Sequence, residues 1–292
     1  MKKMMLFAIA IMLTIAMLPS VVMAETTISK ELSQTEASLG DHITVTLNVS
    51  VAEDGIPLAI VDSLPAGLSY ISDTFTVNGD SAEPTIDNDQ VSYVLEAAGG
   101  YTISFDVQVT ESQGDNITVT NTVAAGNVTA QADLTILPYA GFTKTVEEGE
   151  LVVPVETDVQ WLLVIAVENI ADDQIEVMRD VMVKDNLGGD LELDDYTVSV
   201  GELGIRETGK TKKVHLTWNM GGDLEDGTST SLALLISTDI NTGTGNGKKA
   251  GHQEYTEPGQ HDLNSGAVLK FVDSETGLQL SAHTPPITVL AE

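Results

Sequence analysis

The sequence predicts an all-β protein of two tandem antiparallel β-sandwiches behind an N-terminal leader. Three observations predict it: apolar and polar residues alternate with period two, turn-forming clusters separate the alternating runs, and one phrase occurs twice. Strands at short spacing joined by Gly-, Asn-, Asp- and Pro-rich turns are typical of a sandwich. Outside the leader no segment shows a convincing amphipathic helical period.

The clearest strands follow strict alternation. The run HITVTLNVSV at 42–51 places five apolar residues on one face, and YTISFDVQVT at 101–110 does the same. Similar runs occupy 117–123 and 128–137. A period of two indicates a half-buried strand with one face on a core and the other in water.

The first 24 residues have the features of a secretory signal peptide. Lys2 and Lys3 precede an apolar run from 4 to 18, and a small-residue site favours cleavage after Ala24. An uncleaved membrane anchor is the alternative, because residues 4–23 are nearly long enough to span a bilayer. We expect a secreted, prokaryotic extracellular protein with no membrane span after cleavage.

The composition excludes some classes of partner. The chain has 13 Lys and Arg residues against 44 Asp and Glu residues, a formal charge of −31. Nucleic acid is therefore not an expected partner, because phosphate binding needs clustered cations. The chain has no cysteine. A secreted protein without disulfides depends on core burial, metals or another cross-link.

A duplicated phrase indicates two related domains. The segment VDSLPAGLSYISDTFTVNG at 61–79 has a looser counterpart, VKDNLGGDLELDDYTVSVG, at 183–201. Self-similarity at this distance predicts a duplicated domain. We therefore predict one sandwich at 25–138 and a second at 139–292, the second carrying a long loop at 239–262. That loop is either a flexible insertion between the last two strands or a binding loop.

The first copy resembles a known repeat family. SLGDHITVTLNV, DSLPAGL and NTVAAG, within residues 29–137, resemble the DUF11-type repeat of archaeal and bacterial surface proteins. The second copy, 142–290, is more divergent and lacks the turn proline. The resemblance implies immunoglobulin-like sandwiches in extracellular, often multi-domain chains. Apart from the resemblance, we expect other surface proteins or further copies of the chain as partners, with cell-wall or surface glycans as the alternative. It implies no enzyme activity.

Each copy also carries, in the same order, a lysine near its first strand, an aspartate in the duplicated phrase and an asparagine that opens a late strand. The two sets are Lys30, Asp62 and Asn121, and Lys144, Asp185 and Asn264. This order resembles the isopeptide-forming domains of Gram-positive pilins and adhesins, in which a buried lysine amine attacks an asparagine carboxamide with help from a carboxyl group. Burial would favour the neutral, nucleophilic lysine. The alternative is a solvated lysine, a turn-capping aspartate and an asparagine bonded to loop backbone.

The sequence predicts no cofactor, and calcium bound by acidic turns is the alternative. Asp87, Asp89, Asp223, Glu225 and Asp226 place oxygen ligands in turns, and calcium takes six to eight of them. None of these runs has the spacing of an EF-hand or a nonapeptide loop. In so acidic a chain, adjacent carboxylates also arise by chance.

Two further sets of residues are singled out by type. Asn48, Asn116 and Asn127 begin N-x-Ser/Thr sequons and are candidates for glycosylation. Trp161 and Trp218 lie in apolar or alternating runs, so we expect core burial rather than display as carbohydrate platforms.

These observations favour a non-enzymatic structural or adhesive protein of the cell surface or extracellular matrix. Exposed edge strands would let copies assemble by strand pairing. An extracellular module that binds glycan or calcium is the first alternative, and a surface hydrolase is the second. No recognised hydrolase motif is present in the sequence.

Overall fold

The computed structural model describes most of the chain after the leader. The described residues are 25–155, 158–170, 175–187, 191–208, 213–238 and 258–292. Almost all regular structure in them is β-strand, and the single short helical turn is a 3₁₀ turn at Glu53–Gly55. The predicted all-β fold of two antiparallel sandwiches is confirmed. The predicted signal peptide lies outside the described residues.

The first sandwich packs two sheets built from the strands of residues 25–138. Its strands are β1 Thr27–Leu32, β2 Glu36–Ala37, β3 His42–Val51, β4 Leu58–Ser63, β5 Leu68–Tyr70, β6 Thr76–Val77, β7 Asp80–Ser81, β8 Thr85–Asp87, β9 Gln90–Leu95, β10 Gly99–Val109, β11 Glu111–Ser112, β12 Ile117–Ala125 and β13 Val128–Ile136. One sheet has the order β1-β3-β10-β6-β7, with β5 also on β10. The other has the order β2-β13-β12-β4-β9-β8.

The second sandwich is built from the strands after residue 138. They are β14 Phe142–Glu148, β15 Val152–Val153, β16 Gln160–Glu168, β17 Val177–Asn186, β18 Leu191–Val198, β19 Glu202–Thr208, β20 Lys213–Asn219, β21 Leu224–Glu225, β22 Ser229–Thr238, β23 Gly259–Asn264, β24 Val268–Asp273, β25 Gln279–His283 and β26 Ile287–Ala291. One sheet has the order β14-β16-β22-β18. Opposite it lie the sheets β25-β24-β17-β20-β19 and β15-β26-β23.

The two sandwiches repeat one strand order, down to the register of a short parallel strand. In the first, Glu36 and Ala37 pair in parallel with Thr135 and Ile136. In the second, β15 pairs in the same way with the last two residues of β26. In both sandwiches the residue after the paired segment donates its backbone N–H to a carbonyl of the short strand. Leu137 donates to Ala37 at 2.8 Å, and Glu292 donates to Val153 at 3.0 Å. Such agreement indicates duplication of the whole unit.

Buried apolar residues form one cluster per sandwich. In the first, Ile43, Val45 and Leu47 on β3 are at most 1% exposed, as the alternation predicts. In the second, Trp161 and Trp218 are fully buried, which confirms their predicted place in the core. Each indole N–H donates to a backbone carbonyl at 2.8 Å, so neither buried donor is left unpaired.

The predicted strand and loop boundaries need two corrections. Strand β3 occupies the predicted residues 42–51, and β12 runs two residues past the predicted 117–123. The predicted loop 239–262 ends earlier, because 259–264 pair with β26 and form β23. The loop also precedes four strands, β23 to β26, rather than separating the last two. Residues 239–257 lie outside the described residues. Among the described residues, no helix is long and apolar enough to cross a bilayer.

Candidate functional site

The first lysine and aspartate of the predicted set meet in the core of the first sandwich. Lys30 is the buried residue of β1, whose neighbours along the strand are exposed or half-buried. Asp62 lies on β4 in the facing sheet. The ammonium Nζ of Lys30 bonds to Oδ2 of Asp62, and both side chains are at most 1% exposed. The ion pair therefore joins the two sheets through the core.

Asn121 completes this cluster from the neighbouring strand. It lies in the middle of β12, not at a strand opening as predicted, and is fully buried. Strands β12 and β4 pair Val123 with Asp62, so Asn121 is two residues away on the same face. Residues diagonal across a strand pair are within reach of side chains. The three predicted residues of the first set thus share one buried region.

The second sandwich repeats the arrangement. Lys144 on β14 donates from Nζ to Oδ2 of Asp185 on β17 at 2.7 Å, and both side chains are at most 1% exposed. Asn264 is 1% exposed and forms a bridge with Leu187, two residues past Asp185. In the first sandwich Thr122 pairs with Ser63. Extending this register by one residue places Asn121 opposite Leu64, which is likewise two residues past the aspartate, Asp62. Both asparagines therefore occupy equivalent places.

Burial moves the lysines toward the neutral form. It lowers the pKa of Lys30 to about 8, against the opposing attraction of Asp62. About a tenth of such an amine is neutral at pH 7. Burial also lowers the pKa of Lys144, again against its aspartate partner. In the first sandwich burial raises the pKa of Asp62, with Lys30 and the amide of Asn121 holding it down in part. In the first sandwich burial thus shifts both groups toward their neutral forms, an amine and a carboxylic acid.

Among the described residues, the asparagine nitrogens have no hydrogen-bond partner. Both side-chain polar atoms of Asn121 lack one there, and so does Nδ2 of Asn264. Oδ1 of Asp62 is likewise without a partner in the described part of the chain, although the nearby Asn121 amide affects its pKa. A buried polar group left unpaired costs about 1–3 kcal/mol. In both sandwiches the orphaned atoms therefore include the nitrogen that would depart if the lysine attacked the carboxamide.

The two clusters differ in what their oxygens contact. Asp185 accepts the backbone N–H of Asn186 through Oδ1 at 2.8 Å, whereas Oδ1 of Asp62 accepts nothing. Asn264 accepts the backbone N–H of Gly266 through Oδ1 at 2.8 Å, whereas Oδ1 of Asn121 has no donor. A protonated Asp62 is thus the available donor for the Asn121 carbonyl. In the second sandwich the backbone N–H of Gly266 already polarises the side-chain carbonyl of Asn264.

The calcium candidates are not brought together. Asp87 and Asp89 are exposed in the β8–β9 turn, where the amide of Asn88 donates to Asp87 at 3.1 Å. Asp223 lies 4.0 Å from Arg179, and both side chains are about half exposed. The described residues contain no group of three or more metal-ligating side chains. Calcium binding by these residues, including Glu225 and Asp226, stays an untested prediction.

All three sequon asparagines are exposed. Asn48 lies on the outer face of β3 and accepts a hydrogen bond from the hydroxyl of Thr102 at 3.2 Å. Asn116 precedes β12, and Asn127 is in the β12–β13 turn. Their amides are accessible to a glycosylating enzyme, and occupancy stays a prediction.

Sequence reasoning missed a buried polar contact between the sandwiches. Gln108 on β10 donates from Nε2 to Oδ2 of Asp273 at 3.0 Å, and both residues are fully buried. Gln108 occupies an outward-facing position in the alternation of β10, which predicts exposure. A polar residue in an alternating strand carries no sign that another domain covers it.

Comparisons with known proteins add similarity of fold only. No family model matches the chain, and no curated protein matches it. The full-length major pilin SpaD from Corynebacterium diphtheriae is 10% identical at a TM-score of 0.37, covering 80% of this chain and 59% of the pilin. The collagen adhesin CNA from S. aureus is 13% identical at a TM-score of 0.24, covering 91% and 93%.

A third solved structure, the pilus backbone RrgB from Streptococcus pneumoniae, is 11% identical at a TM-score of 0.29. The match covers 90% of this chain and 59% of RrgB. At these low TM-scores the similarities carry no argument about function. The resemblance to the DUF11-type repeat accordingly depends on its motifs alone.

Proposed function

We propose that this chain is a secreted structural or adhesive component of a prokaryotic cell surface, and that each sandwich closes an internal lysine–asparagine isopeptide bond. One observation carries the proposal: both sandwiches bury a lysine–aspartate pair beside an asparagine at the same register position. Buried charges are costly even when paired, so their repetition in two cores favours a chemical role over a purely stabilising one.

The reaction needs only the groups in the cluster. Neutral Nζ of Lys30 attacks Cγ of Asn121, forming the Nζ–Cγ bond and placing negative charge on Oδ1. Protonated Asp62 donates its proton to that oxygen, and the resulting carboxylate relays a proton from Nζ to Nδ2. The Cγ–Nδ2 bond breaks and ammonia leaves, while the proton on Oδ1 returns to Asp62 as the carbonyl re-forms. One amide thus replaces another without an oxidant. The orphaned Nδ2 is thereby removed from the core.

In the second sandwich the same bonds form and break, but a different group polarises the asparagine carbonyl. The backbone N–H of Gly266 already donates to Oδ1 of Asn264. Asp185 holds Lys144 through Oδ2 and serves as the proton relay from the amine to the departing nitrogen. Stabilisation of the developing oxyanion by a fixed backbone donor is a recurring catalytic device.

The bond would supply the cross-link that a cysteine-free extracellular protein lacks. In the first sandwich it would join β1 of one sheet to β12 of the other. It would close a loop of roughly 90 residues, and the loop-entropy estimate for such a cross-link is about 4–5 kcal/mol. Because it would tie an early strand to a late one across the core, it would also resist separation of the sheets by tension.

Intact mass tests the bond directly. The folded mature protein is expected to weigh less than its sequence by the mass of two ammonia molecules, because each sandwich loses one. Peptide mapping is expected to find Lys30 joined to Asn121 and Lys144 joined to Asn264. An unmodified mass for protein that is folded by circular dichroism would disprove the cross-links.

Matched variants assign each loss to its site. Lys30→Arg keeps the charge but removes the nucleophilic amine, so we expect one ammonia to be retained; Lys144→Arg should do the same in the second sandwich. Lys270→Arg on β24, outside both clusters, is the control and should keep both losses. If Lys30→Arg still loses two ammonia molecules, the assignment of Lys30 is wrong.

Fractionation tests the surface role separately. We expect the mature chain in the medium or the cell-envelope fraction, cleaved after Ala24, and sedimenting as assemblies if edge strands pair. A monomer confined to the cytoplasm would contradict the surface role while leaving the mass result intact. The two parts of the proposal therefore fail independently.

A binding module for neutral glycans is the second candidate, favoured by one surface. The outer face of β1, β3 and β10 forms a shallow depression of about 460 Å³. It is lined by Thr27, Ile28, Ser29, Asn48, Val49, Ser50, Gly100, Tyr101 and Thr102. None of these residues is charged, although the chain carries a formal charge of −31. Hydroxyl, amide and aromatic groups on an uncharged face suit a neutral polysaccharide.

Affinity electrophoresis tests this surface. Gels containing neutral cell-wall polysaccharide are expected to retard the protein, and Asn48→Ala should reduce the retardation by removing an exposed amide of this surface. Asn127→Ala, at an exposed position of the β12–β13 turn, is the control. Equal migration with and without polysaccharide would rule out this candidate.

A further inference from the structure

The two sandwiches are joined by an element that only the second one has. In the first sandwich, Val123 of β12 pairs with Asp62. The β12–β13 hairpin turns only two residues later, where Ala125 pairs with Val128. In the second, the β24–β25 hairpin continues to Asp273 before it turns. The β24–β25 hairpin is therefore longer than the β12–β13 hairpin by about four residues per strand, or about 13 Å. We call residues 270–281 the arm.

The arm continues a sheet of the second sandwich into the first. Glu111 and Ser112 of β11 pair in parallel with Ser281 and Ala282 of β25. The backbone N–H of Ser281 also donates to the carbonyl of Thr110 at 2.8 Å. This short strand of the first sandwich covers the outer edge of β25, which would otherwise present unpaired backbone groups.

A buried polar cluster closes the contact. Nε2 of Gln108 donates to Oδ2 of Asp273 and to the carbonyl of Gly40, each at 3.0 Å. The hydroxyl of Thr276 lies 2.7 Å from Oε1 of Gln108 and also contacts Oδ2 of Asp273, so its one proton serves either acceptor. Backbone N–H groups of Glu275 and Thr276 donate to Asp273 at 3.1 Å and 3.3 Å.

These bonds keep a fully buried carboxylate ionised. Burial by itself would raise the pKa of Asp273, but the hydrogen bonds from Thr276, Gln108 and the two backbone amides hold it below its usual value. A carboxylate that loses a donor while it stays buried is costly, so the stability of the closed contact depends on the hydrogen bond from Gln108.

Apolar packing adds to the polar cluster. Leu39, from the first sandwich, is fully buried in the apolar cluster of the second. The next residue is Gly40, at φ 91°, where an added Cβ would lie 2.6 Å from Cγ1 of Ile175. Backbone of the first sandwich therefore lies directly against side chains of the second.

We propose that the arm couples the two sandwiches into one cooperatively unfolding body whose relative orientation is fixed by the contact of Gln108 with Asp273. A tandem of surface domains joined by a bare linker would bend at the linker. Here, backbone pairing, a satisfied buried carboxylate and an inserted leucine all oppose that bending. The coupling is independent of whether isopeptide bonds form, because both bonds lie within single sandwiches.

The distribution of tryptophan makes the coupling measurable. Both tryptophans are in the second sandwich, so their fluorescence reports on that sandwich, while far-ultraviolet circular dichroism reports on both. For the full chain we expect the two thermal transitions to coincide. Gln108→Met removes the donor to Asp273, and we expect the transitions to separate by about 4 °C or more.

Gln131→Met is the matched control, because it makes the same substitution at an exposed position of the first sandwich. It should leave the transitions coincident. If Gln108→Met fails to fold, hydrogen exchange of the unaltered protein decides instead: peptides covering 105–112 and 270–283 should share one high protection. Separate transitions in the unaltered protein, or coincident transitions in Gln108→Met, would overturn the proposal.

Discussion

Lys30→Met is expected to destabilise the first sandwich by about 3–5 kcal/mol at neutral pH, because it leaves Asp62 buried and unpaired. The lysine side chain is fully buried and its ammonium is the only hydrogen-bond partner of Asp62 Oδ2 among the described residues. Methionine fills a similar volume, so the loss comes mainly from the stranded carboxylate rather than from a cavity. Urea denaturation at neutral pH measures it.

The cost should fall in acid. The pKa of Asp62 is raised by burial even with Lys30 beside it, and removing the lysine removes a charge that opposes the rise. A carboxyl whose pKa is higher in the folded state than in the unfolded state destabilises the folded state increasingly as pH rises from the unfolded pKa to the folded pKa. The destabilisation is therefore full above the raised folded pKa and is relieved as pH falls from it toward the unfolded pKa.

The double variant Lys30→Met with Asp62→Leu is the control. Neither it nor the single variant can form the first isopeptide bond, so their difference isolates the unpaired carboxylate. We expect the double variant to recover the part of the lost stability that the unpaired carboxylate causes, since apolar replacements of buried ion pairs are often neutral or stabilising. The contribution of the absent isopeptide bond stays lost in both variants. A double variant as unstable as the single one would show that the pair acts through packing.

Trp161→Ala is expected to destabilise the second sandwich by about 3–5 kcal/mol, through lost burial and the cavity it leaves. Trp161 is fully buried, and its indole N–H donates to the carbonyl of Glu150 at 2.8 Å. Gly149, at φ 106°, packs so closely that an added Cβ would lie 2.5 Å from the indole Cδ1. The surrounding backbone is thus shaped around this ring and has little room to collapse.

Fluorescence of the remaining Trp218 during urea unfolding measures the loss. Trp161→Phe should cost less than Trp161→Ala because most of the volume stays, although the Glu150 carbonyl loses its donor. Tyr196→Ala, at 43% exposure on β18, is the surface control and should change stability by less than about 1 kcal/mol. A Trp161→Ala variant as stable as the control would place Trp161 outside the core that determines stability.

Local patterning was sufficient to predict the strands and the duplication. The strand 42–51 follows from alternation because a half-buried strand exposes every second residue, and Ile43, Val45 and Leu47 are buried as predicted. The repeated phrase is itself visible in the sequence. Boundaries near irregular segments were less accurate, since 259–264 became a strand only through pairing with β26.

The candidate site was predicted only as a set of residue types. The sequence names Lys30, Asp62 and Asn121 in order, yet equally allows a solvated lysine and a turn-capping aspartate. Burial of Lys30 depends on β4 and β12 lying across the core from β1, which the sequence does not state. The empty hydrogen-bonding positions on Asn121 likewise result from packing rather than from composition.

By itself, the sequence determined the β-class, the twofold repetition, the acidic charge and the identity of the six candidate site residues, because each is written in local spacing or in counts. Tertiary structure alone decided that lysine, aspartate and asparagine meet in each core and that Gln108 reaches Asp273, 165 positions along the chain. Contacts between such distant residues are selected by the free energy of packing whole sheets together, and a linear pattern leaves no trace of them.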